Sequence, residues 1–364
     1  MKLAFLGDLH YGVRNDSEVF YNLQKQFFTE VFFPSLKENG VTNVIQVGDF
    51  FDRRQYINFK TLYYLKEYLP QLLIDYNIQM YVLIGNHDTA LKSSNHINSP
   101  ALLLSDIPNI TVLEDLCHLT LAENDEEFNI TVIPWINNNN YKESIEFIEN
   151  SPHQYVTGHF ELKGFEMHKG HVSESGMSAD IFDKFIKVIS GHYHTKSNKG
   201  NILYTGTPYE LTWSDWNDKK GFWILDTLTH NIDFIPNHNT IYHRIEYWNK
   251  DSKEYIKIEP PTDSLTGKYV KLICVKKDDE YMFEQYLKKL GKEFPIDINV
   301  VLSTIELEST MEETIEGATK TLSQLIVENI NSIKLDDNIA NPDELKENTI
   351  NFLLSIHTEI GGKD

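Results

Sequence analysis

Seven side chains able to ligate a metal follow short apolar runs, each introduced by a glycine. They occur in Gly7-Asp8-Leu9-His10, Gly48-Asp49, Gly85-Asn86-His87-Asp88, Gly158-His159 and Gly191-His192-Tyr193-His194. The donors are Asp8, His10, Asp49, Asn86, His159, His192 and His194. Glycine lets a chain turn sharply and approach another group closely. The mixture of oxygen and imidazole donors suits manganese, iron or zinc better than calcium. Seven donors are too many for one tetrahedral ion, but they suffice for two if one carboxylate bridges. Two ions about 3.5–4 Å apart hold both the attacking and the leaving oxygen of a phosphoryl displacement. Any one of these short motifs could be a turn or a solvated loop. Their joint occurrence, in order and each after an apolar run, is what points to a shared site.

Convergence requires a scaffold that delivers strand ends to one edge. Lys2–Leu6, Val44–Val47 and Met80–Ile84 read as buried strands. Phe20, Leu23, Phe27, Val31 and Leu36 recur near helical spacing between the first two, and Leu62, Leu65, Leu69, Leu72 and Leu73 between the second and third. Strand–helix–strand alternation predicts right-handed crossovers and a parallel sheet, whose ligands collect at the carboxyl ends of the strands. Further strands are expected at Phe128–Ile133, Gln154–Thr157, Lys187–Ser190, Asn201–Thr205, Phe222–Asp226 and Ile232–Ile235, forming a second sheet packed on the first. The expected class is α/β, a two-sheet αββα sandwich over 1–238. A small α/β unit over 239–305 and C-terminal helices over 306–364 follow it.

The 364 residues carry a net charge of −21, which argues against a stand-alone nucleic-acid binder. Bound cations could relieve the repulsion locally and a basic partner globally. Only two cysteines are present, Cys117 and Cys274, so no disulfide framework is expected. With no signal peptide and no long apolar run, the expectation is a soluble, cytoplasmic protein without membrane contact.

Together the motifs resemble the calcineurin-like metallophosphoesterase superfamily. Gly206-Thr207-Pro208 and Lys220-Gly221-Phe222-Trp223 extend the likeness to its DNA double-strand-break repair nucleases, which include the nuclease subunit of SbcCD and the recombination endonuclease subunit of T4-like phages. The resemblance implies that Asp8, His10 and His194 hold one metal and Asn86, His159 and His192 the other, with Asp49 bridging. It assigns His87 to protonating the leaving oxygen, with Asp88 orienting its ring. Two divalent ions, Mn2+ or alternatively Mg2+, would support 3′-to-5′ exonuclease and single-strand endonuclease action. An SMC-like coiled-coil ATPase subunit, DNA and a second copy of the chain are the implied partners. Many cellular relatives carry a histidine just after the bridging aspartate, where this chain has Phe50-Phe51-Asp52; Arg53 or Arg54 could take over its phosphate contact. Phe160, Tyr193 and Trp213 are candidates for lining a DNA path, and residues near Asn95–Leu104 for a dimer contact. A phosphatase, a cyclic-nucleotide phosphodiesterase and an inactive scaffold are the rival readings.

Overall fold

The computed structural model describes residues 1–123, 125–247, 265–274, 280–293 and 295–302, with isolated positions at 330, 346 and 348–350. Met1–Ser303 forms one compact unit and Thr304–Asp364 another. The terminal helices expected from residue 306 fall almost wholly outside the described residues.

Two six-stranded sheets make up the larger part. In the first, Lys2–Leu6, Asn43–Gln46, Gln79–Leu83 and Ile110–Leu113 run parallel in that order. Gly221–Asp226 pairs antiparallel with Lys2–Leu6, from Lys2 opposite Asp226 to Phe5 opposite Trp223, and Ile232–Pro236 forms the edge. These last two strands were expected in the second sheet. They return instead to the first because Trp223 and Leu225 bury their side chains beside Leu3 and Phe5, on the face that meets the other sheet. In the second sheet, Glu126–Ile133, Tyr155–Gly158, Lys187–Ser190 and Ile202–Tyr204 run parallel, flanked by antiparallel Cys117–Glu123 and Ser197–Lys199.

Strand alternation explains the layering. Leu3, Phe5, Ile45, Val47 and Leu83 face Ile130, Val132, Ile189 and Leu203 across the sheets. The intervening Ala4, Leu6, Val44, Met80 and Val82 face the helical layer. Ile133, Val156, Val188 and Ile202 cover the far face of the second sheet with Ile148 of the helix Tyr141–Glu149 and with Phe182. The helical layer over the first sheet is not one regular helix. Glu18–Gln26 runs into a π-helical turn, Phe27–Phe32, and then into Phe33–Asn39. Phe27, Phe28, Phe32 and Phe33 recur at five, and a turn with i→i+5 bonding puts all four on the buried side.

Beyond Pro236, Tyr242–Glu246, Tyr269–Cys274 and Asp297–Leu302 form a small parallel sheet with the helix Glu280–Gly291. Ile245, Leu272, Phe283 and Leu290 are among the residues that give it its own core. Buried Glu210 joins it to the larger part, accepting hydrogen bonds from Ile241 N at 2.7 Å and Tyr242 N at 2.9 Å. Among the described residues no helix is long and apolar enough to cross a membrane.

Candidate metal centre

The ends of five parallel strands meet at one edge of the sandwich, and backbone bonds fix the loops that follow them. Leu9 N and His10 N both donate to Asp49 O, at 3.0 and 3.1 Å, and Tyr11 N donates to Phe50 O. The first two motifs are thereby locked side by side. His10, Asp49 and His192 adopt φ values of 48°, 53° and 87°. Non-glycine residues are uncommon in that region, and such strain clusters at functional sites. The glycines allow the loops to close. A Cβ on Gly85 would collide with the backbone nitrogen and carboxylate of Asp49. One on Gly191 would lie 2.5 Å from Val47 O and 2.6 Å from Asp8 Oδ1.

The seven expected donors come together in two groups. In one, ligand atoms of Asp8, His10 and His194 all lie within 4.8 Å of one another; in the other, those of Asp49, His159 and His192 do. Asn86 belongs with the second group, because its Oδ1 is 2.9 Å from His159 Nε2 and 2.8 Å from His192 Nδ1. Asp49 lies between the groups. Its Oδ1 accepts from His87 N at 2.7 Å. Its Oδ2 is 3.4 Å from His159 Nε2 and 3.9 Å from His10 Nε2.

The donor chemistry fits divalent cations. His159 Nδ1 donates to Val47 O at 2.8 Å, so in the neutral ring Nε2 carries a lone pair. That lone pair meets two oxygens, Asn86 Oδ1 and Asp49 Oδ2. Three acceptors then converge with no hydrogen among them, unless His159 takes a second proton or a cation lies between. His10 Nε2 and His194 Nε2 face each other at 3.1 Å, a pair that one N–H or a shared cation can satisfy.

Titration behaviour reflects this crowding. Burial raises Asp8 to about 8, with Asp49 adding to the rise and His159 opposing it. For His159, burial works toward a lower value but the Asp49 and Asp8 carboxylates outweigh it, giving about 9. Burial, reinforced by neighbouring histidines, lowers His10 and His192 to about 3 and holds His194 well below its ordinary value.

His87 stands over the first group, its ring 4.9 Å from that of His10 and at right angles to it. The ring is held by Asp52 O, which accepts from Nδ1 at 2.6 Å and leaves Nε2 for the site. Asp88 does not orient it, contrary to the expectation. The fully buried Asp88 carboxylate accepts instead from Gly85 N at 2.9 Å, Phe51 N at 3.0 Å and Phe50 N at 3.2 Å. It ties the second and third motif loops together, because three backbone N–H groups there have no other acceptor.

The two arginines separate. Arg53 is committed to Asp16 Oδ2 at 2.8 Å and Asn15 Oδ1 at 3.0 Å, with Tyr56 under its guanidinium. Arg54 Nη1 is buried without a protein acceptor, and its charge acts on Asp49, Asp88 and His87. Phe160 and Tyr193 are core residues, and Tyr193 OH is bonded to Leu162 O. Trp213 packs on Tyr242 with Lys271 over its ring. Burial takes Phe160 and Tyr193 out of any such path, whereas Trp213 is half-buried.

Three residues near the centre went unforeseen. Asp52 places Oδ1 3.5 Å from His10 Nδ1, the position from which a carboxylate orients a ligating histidine. His168 stands edge-on to His194 at 5.3 Å. Trp135 lies 5.4 Å from the His192 ring and 5.9 Å from that of His159. Its carbonyl is clamped by Asn95 Nδ2 and Asn140 Nδ2. The Asn137–Asn140 run after it was the available signal, since such a run builds side-chain-bonded turns.

Comparison with known proteins agrees with this geometry. The family model for calcineurin-like phosphoesterases matches residues 1–275. "Exonuclease subunit 1" of Enterobacteria phage T4 is 35% identical over 334 residues, 92% of this chain and 93% of that protein. "DNA double-strand break repair protein Mre11" of Nanoarchaeum equitans (strain Kin4-M) is 22% identical over 342 residues, covering 79% of this chain and 91% of its own. Among solved structures, an archaeal phosphodiesterase aligns with 65% of this chain and 100% of its own at 14% identity and a TM-score of 0.32, and carries no argument here. Five motifs from two sheets meeting at one edge of the sandwich, and a family match spanning most of the length, lead to one assignment: the chain belongs to the calcineurin-like phosphoesterase family.

Proposed function

We propose that the chain is a dinuclear metal-dependent DNA nuclease, the phosphodiesterase subunit of an assembly that processes double-strand ends. The observation that carries this reading is the meeting of seven donors in two groups with Asp49 between them. The names of the phage and archaeal relatives direct the phosphoester chemistry to DNA.

Asp8, His10 and His194 would hold one ion, Asn86, His159 and His192 the other, and Asp49 would bridge. Two ions so held supply a water of lowered pKa and neutralise charge on the scissile phosphate. The protein does the rest. Asp52 O accepts from His87 Nδ1. Burial works to lower the ring's pKa, but the Asp49 carboxylate and Asp52 outweigh it and raise the value, so the imidazolium holds a proton on Nε2 that it can pass to the leaving 3′ oxygen. Arg54 is proposed as the phosphate contact, because its Nη1 has no protein partner whereas Arg53 is spent on Asp16 and Asn15. Asp88 holds the loops that carry these groups.

Manganese as the natural ion, 3′-to-5′ exonuclease action and single-strand endonuclease action extend the same reading. So does the division into a nuclease domain over 1–238, a DNA-contacting cap over 239–305 and helices over 306–364 that dock an SMC-like ATPase. Residues 306–364 carry 13 Asp and Glu against 4 Lys, a charge suited to a basic partner surface. Homodimer formation is supported by exposed apolar side chains. Phe59 and Tyr63 on the helix Phe59–Asp75 are 86% and 68% exposed, and Leu102 on Ser99–Leu104 is 73% exposed. Lys66 and Asp106 link these two regions at 2.8 Å.

The test uses end-labelled duplex and single-stranded DNA with manganese or magnesium, and nitrophenyl phosphate as control. DNA cleavage that needs the metal supports the proposal. Turnover of the small phosphoester alone would favour a phosphatase, and no turnover of either would favour an inactive scaffold.

A further inference from the structure

Lys220 is an unusual lysine for a soluble domain, being only 4% exposed. Taking an ammonium out of water costs several kcal/mol unless its hydrogens are met by well-placed acceptors. Here two hydrogen bonds and a further ion pair meet it. Nζ donates to Asp215 Oδ1 at 2.6 Å and to His194 O at 2.9 Å, and the Asp218 carboxylate lies 3.0 Å away.

The contact with His194 O reaches the candidate metal centre. His194 O also accepts from Thr207 N at 3.1 Å, so the backbone of this donor is pinned from two directions. Neither partner is movable. Asp215 is 3% exposed, and its Oδ2 accepts from Leu211 N at 2.9 Å and Thr212 N at 2.8 Å. The strand Gly221–Asp226 begins next to Lys220, whose own carbonyl accepts from Asn237 N at 2.8 Å. Lys220 thus connects a rigid loop and a central strand to one donor of the first group.

We propose that Lys220, clamped by Asp215, is a positioning residue for the His194 side of the metal centre. It sets where the His194 ring stands by holding that residue's carbonyl, and touches neither metal nor substrate. The inference rests on the dinuclear reading above and deepens it.

Two variants test it, Lys220→Met and the double variant Lys220→Met with Asp215→Asn. The single change leaves a buried carboxylate unpaired and will lower the melting temperature. The double change removes that charge as well, and separates stability from positioning. Manganese binding is followed by calorimetry, first on the unaltered chain. Fewer than two ions bound there would refute the dinuclear reading itself, before any variant is compared. The expected result is a double variant that melts near the unaltered chain, with one site intact and the other weakened roughly 10–100-fold, the usual effect of losing such a partner. Two sites of unchanged affinity in the double variant would overturn the proposal.

Should the variants not fold, acetylation of Lys220 in the unaltered chain, read by mass spectrometry, is decisive. With reagent dilute enough that opening stays at equilibrium, the labelling of Lys220 reports the free energy of breaking its contacts, and reciprocal coupling then requires manganese to slow it if Lys220 steadies His194. A labelling rate indifferent to manganese would overturn the proposal.

Discussion

Binding of manganese to the metal-free chain at pH 7 should release about two protons per molecule. Metal ligation requires deprotonated donors. Among the seven donors, Asp8 at about 8 and His159 at about 9 are the groups that still hold protons at neutral pH. A group one unit below its pKa is about 90% protonated and one two units below about 99%, so together they surrender about 1.9 protons. His10 and His192 at about 3, His194 well below its ordinary value and Asp49 lowered well below the carboxylate range release none. The sign follows directly: raising the pH removes the competing protons and strengthens binding. Each of the two groups contributes about a tenfold gain per pH unit, the first until about pH 8 and the second until about pH 9. Calorimetric titration in buffers of different ionisation enthalpy counts the protons. Release of none at pH 7, or affinity that falls as pH rises from 6 to 8, would refute the argument.

Other changes separate the roles assigned to individual side chains. His87→Ala should keep both manganese ions and lose about 10²–10⁴-fold in turnover, the range typical of general acid catalysis. Asp49→Ala should lose metal as well, and metal analysis of the two variants side by side would expose a wrong assignment. Asp88→Asn keeps the shape but leaves one oxygen to serve three backbone N–H groups. A loss of about 2–4 kcal/mol in unfolding free energy is expected from charged hydrogen bonds of this kind; a denaturation midpoint equal to that of the parent would contradict it. Arg54→Ala should raise KM for DNA more than Arg53→Ala does. Arg53→Ala should mainly loosen the segment that carries Asp16.

Much of the centre was legible because strand ends in an α/β sheet announce themselves. Lys2–Leu6 and Lys187–Ser190 were bounded to the residue, since apolar alternation stops where glycine begins. The small sheet was also readable, because Tyr269, Ile245 and the helix at Glu280 sit on simple periodicities. Sheet membership was not. Whether Gly221–Asp226 joins the first or second sheet depends on which partner covers Trp223 and Leu225, a long-range fact that no local pattern holds. The π-helical turn was hidden for a similar reason, as four phenylalanines spaced by five fit a strained helix only when a sheet is there to receive them. At the site, donor types could be read, but the assignment of Asp88 could not. The resemblance gave it as a ring partner of His87, yet a carboxylate closing a tight turn is drawn first to unpaired backbone N–H groups. Lys220 and Asp52 stand in stretches quoted for the family likeness and Trp135 in none, but the roles of all three become visible only through what the fold places next to them.

The central claim is that one chain holds a pair of divalent ions between these particular side chains. Anomalous diffraction at the manganese edge from crystals of the metal-loaded protein tests it most directly. The account predicts two peaks about 3.5–4 Å apart, one among Asp8, His10 and His194, the other among Asn86, His159 and His192, with Asp49 touching both. A single peak, or two that share no contact with Asp49, would contradict it.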